Sequence, residues 1–305
     1  MANTKEHTLF VEKYRPSKLE NYVGNEHLKT TISKYLEQND IQNLIFYGQA
    51  GGGKTTLAKL IVQNLNCDYL YINASDERGI ETIRDKVSGF ASVASFKPLK
   101  VVILDEADFL TINAQASLRN VIETFSRTTR FIMTCNFVER IIDPLQSRCQ
   151  VIKIVPPSKS EVAKHLAWIL EKESISYTLE DIKTIVNQYY PDLRKCLNTI
   201  QLNSKDNVLK LDNSILVSSN YIDKVIDELK KPKPYFNNIR QIIADSNVED
   251  FDELFRALYE KASEYLPNKE GTVAMLVNDH QYKANFRIDK EINVMSLIQN
   301  LINNK

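Results

Sequence analysis

The sequence predicts an α/β fold, a parallel five-stranded sheet wrapped by helices, followed by an all-helical portion. Three observations lead there. Through the first 155 residues short apolar runs alternate with amphipathic stretches, the pattern of strands buried on both faces and joined by helical crossovers. A glycine-rich turn leads from the first of these runs directly into a helical stretch. Beyond Pro156-Pro157 the strand-like runs stop and only helical periodicity continues to Lys305.

Taken in order, the strands are expected at Asn43–Tyr47, Tyr69–Asn73, Lys100–Leu104, Arg130–Cys135 and Gln150–Val155. Helices are expected near 54–65, 79–94, 113–125 and 138–147. Ser158 followed by Glu161 is a capping-box start for a helix over 159–173, and two more helices fit 178–189 and 191–203. A polar stretch from Asn203 to Asn220 holds the next boundary. Past it, Lys230-Lys231-Pro232-Lys233-Pro234 and Pro267 to Gly271 punctuate the helical pattern.

Composition narrows the function classes. The 305 residues suffice for two or three domains. Lys+Arg and Asp+Glu both number 39, so any contact with nucleic acid must come from a local patch rather than from net charge. Cys67, Cys135, Cys149 and Cys196 are widely spaced with no C-x-x-C pair, and the four histidines are scattered. That excludes a disulfide scaffold or zinc ribbon and points to a reducing compartment. The opening MANTKEHTLFVEKYRPS has no apolar core of a leader, and no run reaches the ~18 apolar residues of a membrane span; a soluble intracellular protein is expected.

Glycine is scarce: eight residues against about 21 at average usage. Four of the eight, Gly48, Gly51, Gly52 and Gly53, fall within six consecutive positions. Gly48-Gln49-Ala50-Gly51-Gly52-Gly53-Lys54-Thr55 matches G-x-x-x-x-G-K-[ST], between an expected strand and an expected helix as that phosphate-binding motif requires. Backbone N–H groups of such a loop wrap a β-phosphate, aided by the helix dipole. Lys54 would reach the β- and γ-phosphates, and the Thr55 hydroxyl would hold Mg²⁺ beside Thr56. The run Lys100-Val-Val-Ile-Leu-Asp105-Glu106 ends an apolar strand in two acids. Asp105 is placed to bind Mg²⁺ through water, and Glu106 to polarise an attacking water. Two acids there favour an ATP hydrolase over a small-molecule kinase.

Five further segments occur in a telling order: Phe10-Val11-Glu12-Lys13-Tyr14-Arg15-Pro16, Asn73-Ala74-Ser75-Asp76-Glu77-Arg78-Gly79-Ile80, Asp105-Glu106-Ala107-Asp108, Thr134-Cys135-Asn136 and Gln146-Ser147-Arg148-Cys149. Together they resemble the AAA+ ATPase subunits of sliding-clamp loaders, the replication factor C small-subunit type, over roughly residues 8–205. The segment Gly89-Phe90-Ala91-Ser92-Val93-Ala94-Ser95-Phe96 and the short chain look more like the large subunit of T-even-type phage loaders. The resemblance implies an AAA+ P-loop NTPase domain over 1–156, a helical lid over 157–218 and a helical collar that oligomerises subunits over 219–305. It also implies the cytoplasm of a phage-infected bacterial host.

The same resemblance implies roles by position. Asn136 would be sensor 1, orienting the attacking water. Arg148 would be an arginine finger reaching a neighbour's ATP in trans, and Arg194 the sensor 2 of the lid. Tyr14, Arg15, Pro16 and Val23 would wall the adenine, with Val11, Glu12 and Lys13 close by. Arg78 and Arg84 would bind DNA, Gln115 and Arg119 would couple DNA contact to the ATP site, and Phe90, Val93 and Phe96 would dock the clamp. The implied cofactors are ATP and Mg²⁺. The implied partners are a sliding clamp, primer–template DNA, further copies of the chain and a non-identical loader subunit. Gln49 and Ala50 stand where the family usually has prolines, and Pro191 where it usually has glycine; neither removes a catalytic group. The competing readings are another AAA+ motor (a helicase or an unfoldase) and a structural subunit that binds nucleotide without turnover.

Overall fold

The computed structural model describes residues 8–211, 213–246, 248, 251–284 and 289–305, of which 213–220 are described by backbone alone. The chain divides into two units, Met1–Leu209 and Lys210–Lys305.

The first unit begins with a short helix α1 (Phe10–Lys13) and a longer α2 (Glu26–Gln38), then β1 (Leu44–Tyr47), α3 (Lys54–Asn64) and β2 (Cys67–Asn73). A π-helical turn over Thr82–Val87 runs into α4 (Ser88–Ser92), followed by β3 (Leu99–Asp105), α5 (Ile112–Thr124) and β4 (Thr129–Cys135). Next come α6 (Asp143–Gln146), β5 (Gln150–Lys153), α7 (Lys159–Lys172), α8 (Leu179–Tyr189), α9 (Leu193–Asn203) and a small hairpin of β6 (Ser204–Lys205) and β7 (Val208–Leu209). The second unit is helical: α10 (Asn213–Lys230), α11 (Phe236–Ser246), α12 (Asp252–Glu260), α13 (Ala262–Tyr265), α14 (Glu270–Ala284) and α15 (Lys290–Asn303).

The five strands form one parallel sheet in the order β2-β3-β4-β1-β5, as the alternation of apolar runs predicts. Because side chains alternate across a strand, each central strand feeds two cores. Leu44 and Phe46 of β1 join Val101, Ile103 and Ile132 beneath Leu28 and Ile32 of α2 and Leu57, Leu60 and Ile61 of α3. Ile45 joins Val102, Leu104, Phe131 and Met133 on the other face, beneath Ile83, Val87 and the α5 residues Ala114, Leu118 and Ile122. At about 1.5–3 kcal/mol for each fully buried aliphatic side chain, these two layers fix the sheet.

Register sets the site. Tyr47 pairs with Cys135, Leu104 with Met133, and Asn73 with Asp105. The carboxyl ends of β1, β3 and β4 therefore share one edge, and Gly48, Glu106 and Asn136 follow there side by side. Ligands of open parallel sheets bind at that edge.

Two expected helices differ. The stretch 79–94 is divided between the π-helical turn and the five-residue α4. The stretch 138–147 is a 3₁₀ turn over Val138–Arg140 and then α6, which restarts with Pro144 near its first turn. The capping box is present as expected: Ser158 Oγ accepts from Glu161 N at 3.3 Å, and Glu161 Oε2 accepts from Ser158 N at 2.8 Å. In the second unit one cluster gathers Val225, Leu229, Ile239, Leu254, Val273 and Leu297. Among the described residues no helix is long and apolar enough to cross a membrane.

Candidate functional site

The turn between β1 and α3 is built for close approach. Gly48, Gly51 and Gly53 have φ of 147°, 73° and 91°, which residues with a Cβ rarely adopt. A Cβ on Gly51 would lie 2.2 Å from Asp192 Oδ1, and one on Gly53 would lie 2.9 Å from the Tyr22 hydroxyl. That hydroxyl is buried and has no hydrogen-bond partner among the described residues.

Beside this turn a cleft opens. Val11, Tyr14, Arg15 and Val23 line it from the N-terminal segment, Gly51 to Thr56 from the loop and the start of α3, and Arg194 from α9. Val11 reaches it from α1, and Tyr14 and Arg15 from the turn that follows, whereas Glu12 accepts from Arg15 Nε at 3.1 Å and Lys13 pairs with Glu173 at 2.6 Å. Glu12 and Lys13, expected close by the wall, flank the cleft without lining it, and the sequence reading stands as to Val11, Tyr14, Arg15 and Val23. It misses Asn21, Tyr22, His165 and Leu197, which line the cleft; His165 stacks on Trp168 with ring centroids 5.8 Å apart. Burial lowers the His165 pKa. No local spacing marks these positions, because the fold alone brings α7 and α9 over the loop.

Lys54 is only 8% exposed. Its Nζ donates to the carbonyls of Gly48 and Gln49 and to Asn136 Oδ1, each at 2.8 Å. Burial pulls its pKa below the ordinary lysine value, against the opposing pull of Asp105, Asp108 and Glu106. Asp108 Oδ2 accepts the backbone N–H groups of Asn136 and Phe137 at 3.2 Å, which holds the Asn136 amide in place. Thr55 Oγ1 donates to Asp105 Oδ1 at 2.7 Å. Two hydrogen-bonded pairs, Lys54 with Asn136 and Thr55 with Asp105, thus join the start of α3 to the ends of β4 and β3. Glu106 follows Asp105 at the same strand end.

This donor set fits a nucleoside triphosphate with a hard divalent cation. Hydroxyl and carboxylate oxygens suit Mg²⁺, the loop is free of the Cβ atoms that would fill it, and apolar and aromatic walls suit a base. Among the described residues there is no cluster of three or more His, Cys, Asp or Glu for a separate metal site.

Arg148 lies elsewhere. It precedes β5, whose Gln150 pairs with Leu44 at the amino end of β1, so it is about 13 Å or more, one strand length, from the loop at the carboxyl end. Its Nε donates to Glu123 at 2.7 Å and its Nη1 to the Pro144 carbonyl at 2.7 Å. Arg78 and Arg84 are exposed. Gln115 is 1% exposed, with Nε2 donating to the Leu110 and Arg140 carbonyls and Oε1 accepting from Ile142 N. It braces the segment after β3 against the segment after β4. Arg119 is half-buried and donates to Asn120 Oδ1 at 3.0 Å. Phe90 packs against the core, whereas Val93 is 66% exposed and Phe96 fully so.

Comparison with known proteins gives the lineage. The family described as ATPase family associated with various cellular activities (AAA) matches residues 44–157. Replication factor C small subunits of Methanothermobacter thermautotrophicus and Archaeoglobus fulgidus are 39% and 40% identical over 63% of this chain. The chain spans 62% and 63% of the length of those relatives. The fold is shared with the RuvB Holliday junction branch migration motor of Thermotoga maritima, at a TM-score of 0.54 and 15% identity over 82% of this chain and 80% of that one. The replication factor C small subunit of Aeropyrum pernix is 33% identical over 94% of this chain and 86% of its own length. A likeness carried that far along both proteins makes this chain a member of the replication factor C small-subunit family.

Proposed function

We propose that the chain is an ATP-hydrolysing motor subunit that loads a ring-shaped sliding clamp onto primer–template DNA during replication. The observation that supports this best is the division of one ATPase between two places. Lys54, Thr55, Asp105 and Asn136 meet at the cleft, while Arg148 lies at the opposite end of the sheet, exposed on the surface. A site whose arginine must come from another copy is active only in an ordered assembly.

In this reading the loop amides and Lys54 bind the phosphates, and Tyr14, Val23 and their neighbours hold the adenine. Thr55 and Asp105 would hold Mg²⁺, which when bound would supply positive charge against the phosphates. Asn136 orients a water, and Glu106 takes its proton as the oxygen bonds to the γ-phosphorus and the bond to the β-phosphate oxygen breaks. Arg194 meets the γ-phosphate from the same chain, and Arg148 meets that of the neighbour. The helices α7–α9 act as a lid and α10–α15 as a collar. Arg78 and Arg84 track DNA, Gln115 and Arg119 link that contact to the site, and Val93 and Phe96 face the clamp, with Phe90 packed against the core. A non-identical subunit completes the assembly, and the cytoplasm of a phage-infected bacterium is its setting.

Steady-state hydrolysis by the assembled complex, with and without primer–template DNA and clamp, tests the reading. DNA should stimulate turnover strongly. Hydrolysis indifferent to DNA would indicate a different AAA+ motor, and ATP binding without hydrolysis a structural subunit.

A further inference from the structure

The Asp105 carboxylate is 7% exposed and is ringed by three hydroxyls. Its Oδ1 accepts from Thr55 at 2.7 Å and from Thr134 at 2.5 Å, and its Oδ2 accepts from Tyr71 at 2.7 Å. The three hydroxyls differ in what else they do. Thr55 opens α3 and is the group a cation would draw away. Tyr71 stands on the edge strand β2 with Lys59 Nζ 4.4 Å from its ring centroid. Thr134 alone touches both acids: while its proton goes to Asp105, its oxygen accepts the backbone N–H of Glu106 at 3.1 Å. Glu106 needs such a hold, because its φ of 55° lies in the left-handed region, where a residue with a Cβ stays only if its surroundings keep it there.

We infer that Thr134 is a positioning residue for the hydrolysis proposed above, on which this inference rests. Its single hydroxyl sets the direction of the Asp105 carboxylate and the backbone that launches the Glu106 side chain, so one group fixes the metal-side acid and the base relative to each other. Register makes this possible: β3 pairs with β4 through Leu104 and Met133, which puts Thr134 next to Asp105 at the strand ends. Replacing the hydroxyl by a methyl leaves a buried carboxylate oxygen one donor short and the Glu106 N–H without its acceptor. Tyr71 holds the carboxylate only, so its loss should disturb metal binding without moving the base.

The test compares Thr134→Val, Thr134→Ser and Tyr71→Phe in the full chain within its assembled complex. The measurements are kcat, the KM for ATP, the Mg²⁺ dependence of turnover, and the rise in melting temperature on adding ATP with Mg²⁺ or with a chelator. Thr134→Val should lower kcat about 100-fold, the scale of a misplaced catalytic group, with KM within about twofold and no recovery at high Mg²⁺. Thr134→Ser should restore most of the turnover. Tyr71→Phe should need more Mg²⁺ for both turnover and thermal stabilisation, yet approach the wild-type kcat at saturation. A Thr134→Val chain with wild-type kcat overturns the positioning role, as does a well-folded Thr134→Ser chain as impaired as the valine variant. A wild-type complex that neither hydrolyses ATP nor gains melting temperature with Mg²⁺ and ATP overturns the ATPase reading itself, and this inference with it.

Discussion

Glu106 occupies a conformation most side chains avoid, and a backbone cost at one residue is tolerated where the side chain it launches has work to do. Exchanging its carboxylate for an amide keeps size and backbone but removes the proton acceptor. Glu106→Gln should therefore bind ATP as the wild type does while turnover falls about 100-fold or more; equilibrium nucleotide binding and steady-state hydrolysis check this together, and wild-type turnover would remove Glu106 from the mechanism. The residues easiest to read from sequence share a property with Glu106: each follows a strand end or sits in a contiguous motif. Gly48 to Thr55 is one unbroken run, and Asp105 and Asn136 each stand at the end of an apolar strand. Tyr71 and His165 are not legible in this way. They reach the site through strand register and the packing of α7, and nothing in their immediate neighbours distinguishes them from residues that fill a sheet or a helix.

Elements show the same contrast between local and distant causes. The five strands and the capped helix α7 follow from apolar runs and the Ser158–Glu161 pair, all local signals. The sequence reading did not anticipate α2, although Leu28 and Ile32 give it a buried stripe. Its N-cap residue Asn25 bonds across to Val155 instead of capping the helix. The stretch after β2 is shaped by tertiary bonds too. Lys100, buried on β3, donates to the carbonyls of Phe90 at 2.6 Å and of Val93, with its ammonium 5.1 Å from the Phe90 ring centroid. Ser95 Oγ donates to Asp68 at 2.6 Å and accepts from Lys97 N at 2.9 Å. The turn after α4 is pinned from both sides, and that brace holds Val93 and Phe96 out in solvent. Exposed side chains on a backbone held this way suit docking, since less backbone freedom is lost on binding. Phe96→Ala should leave the melting temperature nearly unchanged, because no packing is removed. It should weaken clamp binding by about 2 kcal/mol, the scale of an aromatic anchor, or roughly 30-fold in Kd. Calorimetric titration of clamp into wild-type and variant complexes reads the difference, and equal affinities would end the docking assignment.

At the scale of the whole molecule, the proposed function requires one chain to carry the two halves of an ATPase site, with Lys54 and Arg148 at opposite ends of one sheet. A subunit that supplies Lys54 from one edge and Arg148 from the other makes head-to-tail, heterologous contacts with its neighbours. Such an arrangement predicts complementation between two inactive variants. Lys54→Ala cannot hold the phosphates but keeps its arginine, whereas Arg148→Ala binds ATP but cannot complete its neighbour's site. Complexes built from either variant alone should show turnover reduced about 1000-fold, the scale of a missing arginine finger or phosphate lysine. Complexes assembled from equal parts of both should regain about a quarter of wild-type turnover, since random assembly sets an intact cleft against an intact arginine at about one junction in four. The position of Arg148 makes the alternative concrete: held by Glu123 and the Pro144 carbonyl, it would be an ordinary surface residue if the chain worked alone. In that case Arg148→Ala would hydrolyse ATP at the wild-type rate, and mixing would produce only the average of the two parents. Recovery above that average, rising with the fraction of mixed junctions, is the signature of an arginine that acts across subunits.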